Sequence, residues 1–343
     1  MAFFGIIDGR PVDCIRLHND KLTAEVLTYG ATLRSLTVPD REGKPVDVVL
    51  GFDSLEDYVN HDCYFGATVA PVANRIGKAA CLLNGKPLRL TVNDRGNSLH
   101  SGEAGLDRKF WTVTACCDER VTLTCTHPDG LGGIPGNIRF EVSYRLEGSG
   151  ISVSYLAVSE RDTLCNPTNH SYFNLDGHGS GPILDHRIRL CAKSFTPTDD
   201  KSIPTGDIRA VGGTALDLTR PTRVGDHIDD PEEQLRLAGG YDHNFVIDAA
   251  EEAFRPAAEV WAARSGIKLT VYTDRPGIQF YTGNYIPAGM AGKEGTIYGP
   301  RQALCLETQS YPDAPNHPGF PSIQLRAGRE WTSRTLYKFS AEM

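Results

Sequence analysis

The sequence predicts an all-β fold, a sandwich or closed β architecture with few short helices. Three observations lead there. Apolar and polar residues alternate with period two through several segments, the pattern of strands with one buried face. The 35 glycines and 21 prolines sit mostly between those segments, where turns are needed. Helical periodicity is rare and short, which argues against strand–helix–strand units.

The elements follow in chain order. Strands are expected at Leu22–Leu27 and Val46–Leu50, then a short helix over Asp53–Val59 and a strand at Val121–Thr126. Ile138, Phe140, Val142, Tyr144 and Leu146 alternate with Arg139, Glu141, Ser143 and Arg145. Gly148-Ser149-Gly150 then turns the chain, and Ile151, Val153, Tyr155 and Ala157 return it, interleaved mostly with serines. That is a β-hairpin with one apolar face. A strand at Ile188–Leu190 precedes a two-turn helix that starts at Pro231 and stops before Gly239-Gly240. Ile267–Thr273 and Ile278–Thr282 complete the strands. No repeat, low-complexity tract or linker interrupts the chain, so residues 1–343 are expected to form one domain.

The composition narrows the function. Hydrophobic residues make up 40% and charged residues 23%, as in ordinary globular proteins. The 35 basic residues against 43 acidic ones (net −8), with no Lys/Arg run, give no electrostatic reason to bind nucleic acid or an anionic membrane. No apolar run is long enough to span a bilayer, and Met1–Asp8 lacks the basic head of a signal peptide. Nine scattered cysteines, with Cys116 and Cys117 adjacent, read as reduced thiols in a cytoplasmic protein.

Several chemistries lack their motifs. There is no P-loop, no His-Glu-x-x-His, no Cys-x-x-Cys and no Gly-x-Ser-x-Gly, and the glycine-rich Gly177-His-Gly-Ser-Gly181 is not followed by a helix. The ten histidines show no metal-like spacing. Acid–base chemistry without a cofactor or a metal is what remains. His170, within Asn166-Pro-Thr-Asn-His-Ser-Tyr-Phe-Asn-Leu175, can give or take a proton near neutrality, unless Asn166 or Asn174 simply satisfies it in the core. Glu307 closes the apolar run Ala303–Leu306 and is the carboxylate to set against it. Arg75 (after Asn74), His100, Asp242 and Gln279 each have a plain structural explanation: ion pair, turn, strand cap and outward strand position. As a set, one Arg, two His, one Asp, one Gln and one Glu suit a neutral ligand covered in hydroxyls.

Six segments in this order resemble the aldose 1-epimerase (galactose mutarotase) family: Asn74-Arg-Ile76, Asn97-Ser-Leu-His-Ser-Gly102, Thr168–Leu175, Tyr241-Asp-His-Asn-Phe245, Gly277-Ile-Gln-Phe-Tyr-Thr-Gly-Asn284 and Leu306-Glu-Thr-Gln309. The resemblance implies a large antiparallel β-sandwich of the galactose mutarotase-like type with an open sugar cleft. It implies a free aldohexose such as galactose or glucose as substrate, with no cofactor. It also implies roles: His170 as general acid, Glu307 as general base, and Asn74, Arg75, His100, Asp242 and Gln279 as holders of the sugar. Two departures stand out, Ala70-Pro71-Val72 and Ser101, where glycine is commoner in the family. Phe280, Tyr281 and Phe320 are candidates to pack on the sugar ring.

The roles fit the chemistry of a hemiacetal. Ring opening removes a proton from the anomeric hydroxyl and gives one to the ring oxygen; closure reverses both. Apolar burial is expected to raise Glu307, and a nearby carboxylate to keep His170 protonated. Two other readings use the same residues. A glycoside hydrolase would pair Asp242 with Glu307, and a non-catalytic sugar-binding module would use only the hydroxyl partners. An epimerase of phosphorylated hexoses would want additional arginines.

Overall fold

The structure, a computed structural model, describes residues 1–248 and 253–341. Its strands gather into three main sheets. The largest has nine strands, in the order Thr112–Cys117, Arg120–His127, Ile138–Glu147, Gly150–Ser159, Glu330–Ala341, Ile267–Thr273, Arg255–Trp261, Arg187–Leu190 and Thr222–Arg223. Six strands form the second: Tyr172–Phe173, Leu304–Gln309, Gly277–Tyr281, Asp242–Val246, Ser194–Thr196 and Arg209–Ala210. An N-terminal meander of five strands, from Ala2–Ile7 to Pro45–Asp47, is the third. Neighbouring strands within these sheets run antiparallel.

The predicted hairpin is present. Ile138, Phe140, Val142, Tyr144 and Leu146 are buried, while Arg139 and Arg145 face solvent. Glu147 pairs with Gly150 across a two-residue turn, and Gly148 takes the positive φ of 60° that a residue with a Cβ adopts at a cost. Strands also form at Arg120–His127, Arg187–Leu190, Ile267–Thr273 and Gly277–Tyr281, close to their expected bounds. The expected strand Val46–Leu50 is shorter. Ladder pairing stops at Asp47, because Val48 to Leu50 pass to the edge of the six-stranded sheet: the Leu50 N–H donates to the Tyr172 carbonyl, the Val48 carbonyl accepts from the Asn174 N–H, and Val49 bridges Phe173.

Both expected helices form with shifted bounds. Leu55–Asn60 is capped by Ser54, whose side chain accepts from the Asp57 N–H at 3.1 Å. Glu233–Ala238 ends at Gly239 in the left-handed conformation, as its Gly-Gly stop predicts, but Pro231 lies ahead of the cap instead of in the first turn. Among the described residues no helix is long and apolar enough to cross a membrane. All nine cysteines are free thiols, Cys116 and Cys117 included.

The nine- and six-stranded sheets face each other across the main core. Phe173, Ile278, Phe280, Leu304 and Leu306 of one sheet join Val142, Tyr144, Val153, Val271 and Tyr337 of the other. Tyr337 donates from its hydroxyl to the Leu306 carbonyl at 3.2 Å, and its ring sits 5.1 Å from that of Phe173. This packing decides where the site falls. Successive strand residues point to opposite faces, so with Leu304 and Leu306 turned into the core, Cys305 and Glu307 must point the other way. By the same parity Gln279 and Tyr281 turn away from the core while Ile278 and Phe280 enter it.

Candidate active site

The outward face of the six-stranded sheet carries two rungs of side chains. Residues directly opposite on antiparallel strands share a face. One rung runs Asp242, Tyr281, Cys305, Tyr172; the other runs Asn244, Gln279, Glu307. Close approach makes this possible at Gly277, where a Cβ would come within 2.5 Å of Asn244 Oδ1. A cleft of about 180 Å³ lies over these rungs.

Six of the seven residues singled out from sequence line that cleft: Asn74, Arg75, His100, His170, Asp242 and Glu307. Gln279 stands one layer back and donates from Nε2 to Asp242 Oδ1 at 2.6 Å. Residues from distant segments are joined by backbone bonds. His170 exchanges hydrogen bonds with the 66–67 segment, its N–H donating to Ala67 and its carbonyl accepting from Gly66. Asn74 sits at a positive φ of 60°, and its carbonyl accepts from the His100 N–H at 3.0 Å. Arg75 donates from Nε to Asp94 Oδ2 at 2.7 Å, so Asp94 fixes the guanidinium from behind.

The central contact joins residues 137 positions apart in the chain. His170 Nε2 lies 3.7 Å from Glu307 Oε1. Both side chains are buried, with exposures of 6% and 3%. Glu307 Oε2 has no hydrogen-bond partner among the described residues. A buried carboxylate oxygen without a donor is costly, and the Glu307 side chain that carries it belongs to the cleft lining. Neither asparagine named as a core partner satisfies His170: Asn166 bonds Ser310 and Asn174 bonds the carbonyls of Gly181 and Gln302.

Burial sets the charge states. It pushes Glu307 well above the ordinary carboxylate range; Asp242 adds to the rise and Arg75 opposes it. Asp242 is raised by burial too, against Arg75 and the Gln279 hydrogen bond. His170 is pulled down to about 4 by burial. That corrects the expectation that a carboxylate keeps His170 protonated: its neighbour Glu307 is itself driven towards the neutral form, and desolvation wins. His100 is held well below its usual value by burial, then by His170 and Arg75.

The ligating atoms of His100, His170 and Glu307 fall within 4.8 Å of one another. This cluster is invisible in the sequence spacing, and it has the residue types of a metal site. The hydrogen bonding does not suit one. The Asn74 backbone N–H donates to His100 Nδ1 at 3.1 Å, so the neutral ring carries its proton on Nε2. His100 therefore offers the cleft a donor, not a lone pair.

Sequence reasoning missed the loop that closes one side of the cleft, Asp62, Cys63 and Tyr64, and also Tyr285. Tyr64 has a positive φ of 56°, costly for so bulky a residue. That conformation helps stack its ring on His170 at 5.6 Å and tilt it over His100 at 4.7 Å. Tyr172 stacks on His170 at 5.0 Å, so the imidazole is held between two phenols. Of the three aromatics proposed for the sugar face, Tyr281 lines the cleft. Phe280 does not, because strand parity turns it into the core. Phe320 packs on Tyr311 and His317 outside the cleft. The two family departures meet each other: Ser101 Oγ accepts from the Val72 N–H at 3.0 Å and donates to its carbonyl at 3.2 Å.

Fold and site together define a β-sandwich protein whose buried His170–Glu307 pair lines a cleft rich in polar side chains. Residues 13–338 match the family described as aldose 1-epimerase. The chain is 44% identical to the galactose mutarotase of Bos taurus, covering 96% of this chain and 94% of that one. It is 34% identical to the aldose 1-epimerase of Escherichia coli K12, covering 98% and 97%. Among solved structures, an aldose epimerase homologue from C. elegans superposes with a TM-score of 0.90 at 32% identity, over 97% of this chain and 100% of that one. A galactose 1-epimerase from Lactobacillus acidophilus gives 0.87 at 28% identity, over 100% and 98%. The chain belongs to the aldose 1-epimerase family.

Proposed function

We propose that this protein is an isomerase that interconverts the α and β anomers of free aldoses, galactose and glucose among them, by opening and reclosing the sugar ring. The observation that carries the reading is the buried pair: His170 Nε2 is 3.7 Å from Glu307 Oε1, and both residues line the cleft. Glu307 takes the proton of the anomeric hydroxyl as the general base. His170 gives a proton to the ring oxygen as the general acid. The bond from C1 to the ring oxygen breaks, leaving the open-chain aldehyde. Rotation about C1–C2 presents the other carbonyl face, and closure returns both protons, so nothing is consumed.

One proton shared by the pair is what this cycle needs. At rest burial favours it on Glu307, with His170 neutral. A sugar hydroxyl donating to the carboxylate offsets that preference and moves the proton to Nε2, the reactive arrangement. His100 supplies an Nε2–H donor, Asp242 an acceptor held by Gln279, and Asn74 and Arg75 further donors to the hydroxyls. Arg75 is the one cation among the described lining residues, against the carboxyl groups of Asp62 and Asp242, while the His170–Glu307 pair with its one proton is neutral overall. That balance disfavours a phosphorylated sugar.

The test is optical rotation. Fresh α-D-galactose, then α-D-glucose, should reach rotational equilibrium faster with the protein than without. Unchanged relaxation, or release of chromophore from an aryl galactoside, would replace this reading with a sugar-binding module or with a glycoside hydrolase.

A further inference from the structure

His170 can exchange its proton with the sugar only through Nε2, so something must govern the other nitrogen. Among the described residues the side-chain partner of Nδ1 is Cys305 Sγ, at 3.5 Å. Cys305 is fully buried and sits two residues before Glu307 on the same strand and the same face. One β-strand thus carries both the carboxylate that faces Nε2 and the sulfur that faces Nδ1.

We propose that Cys305 is a positioning residue whose sulfur accepts the Nδ1–H of His170, fixing the tautomer in which Nε2 is the nitrogen that gains and loses the proton. The inference rests on His170 acting as the proton donor. Tyr172 lies directly opposite Cys305 in the ladder. The thiol hydrogen rotates about Cβ–Sγ and can turn away from His170, leaving a sulfur lone pair towards Nδ1. Burial and the neighbouring Glu307 and Asp242 keep the thiol in its neutral form, so no thiolate competes as a base.

The choice of sulfur has a chemical consequence. A carboxylate at Nδ1 would stabilise the imidazolium and make His170 a better base and a weaker acid. A neutral thiol is a weak acceptor. It orients the ring without holding the charge, and the proton on Nε2 stays easy to give away. The other groups facing the ring are Glu307 at Nε2, the Tyr64 and Tyr172 faces, the edge-on ring of His100 and the backbone of His170 itself, whose hydrogen bonding favours the charged ring. None of them supplies a fixed negative charge to Nδ1.

Two-bond ¹H–¹⁵N correlation spectra of the full chain labelled at histidine nitrogen test this, with the His170 signals identified by their loss in His170→Asn. The wild type should show Nδ1 protonated and Nε2 bare. Cys305→Ala should blur that pattern into a mixture of tautomers and lower kcat about three- to tenfold, the worth of one ordinary hydrogen bond, with KM little changed. Cys305→Ser should restore both. A wild-type spectrum with the proton on Nε2 overturns the proposal, even if Cys305→Ala does not fold. So does a Cys305→Ala protein with unaltered tautomer and kcat. If His170→Asn retains full turnover, the acid role itself is wrong; if it is inactive while the tautomer is the opposite one, only the role of Cys305 falls.

Discussion

Gln279 donates to Asp242 at 2.6 Å from one layer behind the cleft. The amide is directly opposite Glu307 in the strand ladder, and its own Oε1 accepts from Gln309 Nε2 at 3.5 Å. Gln279 therefore orients Asp242, the proposed acceptor for the sugar, without lining the cleft itself. Gln279→Ala should raise KM by roughly tenfold, the worth of one hydrogen bond to a charged group, and change kcat less. Steady-state rates over a galactose concentration series check this. A fall in kcat with KM unchanged would place Gln279 in the chemistry instead.

Glu307 should weaken the fold at neutral pH. Its folded-state value is raised, so below its ordinary range it is protonated in both states and stability does not depend on it. As pH rises above about 4.3, the unfolded chain loses the proton while the folded one keeps it, and stability falls by up to about 1.4 kcal/mol per pH unit until the folded value is reached. Glu307→Gln has no proton to lose. Its Tm advantage over the wild type should be small near pH 4 and grow towards pH 7. Thermal unfolding at a series of pH values reads the difference, and an advantage that shrinks as pH rises contradicts the sign.

The pH–rate profile should report the pair and not two isolated side chains. Unperturbed groups would place its limbs near about 4.3 and about 6.5. Here a second proton enters the pair only when His170 protonates, at about 4, so kcat/KM should fall below that pH. The pair loses its one proton only in the raised range of Glu307. The alkaline limb should accordingly lie well above the ordinary carboxylate range, and a limb centred near about 4.3 would contradict these assignments.

Much of the scaffold is legible in the sequence, because where one sheet face meets solvent the alternation is plain. Residues 138–157 and 267–273 are of that kind. The six-stranded sheet is harder to read, because its second face is covered by the cleft and the surrounding loops. Every residue of Leu304–Gln309 is buried, so the period-two pattern disappears although the parity is still obeyed. The residues of the candidate site could be picked out by type and order, and six of them meet at one cleft. Their layering could not. Nothing in the sequence says that Gln279 stands behind Asp242, or that Asp94 stands behind Arg75. Tyr64 escaped because its place depends on a left-handed backbone in a loop. The only hint is an aromatic pair, Tyr64-Phe65, ahead of Gly66. The His170 charge state was misjudged because burial depth is not written in the chain.

The central claim is that His170 and Glu307 act as one proton-exchanging unit on one sugar. Galactose mutarotation rates of Glu307→Gln, His170→Asn and the double variant measure it most directly. Each single change should lower kcat by about 10²- to 10⁴-fold, and the double variant should be little slower than the worse single one, since a unit already broken loses little more. A single variant with near wild-type turnover, or losses that multiply in full in the double variant, would contradict the account.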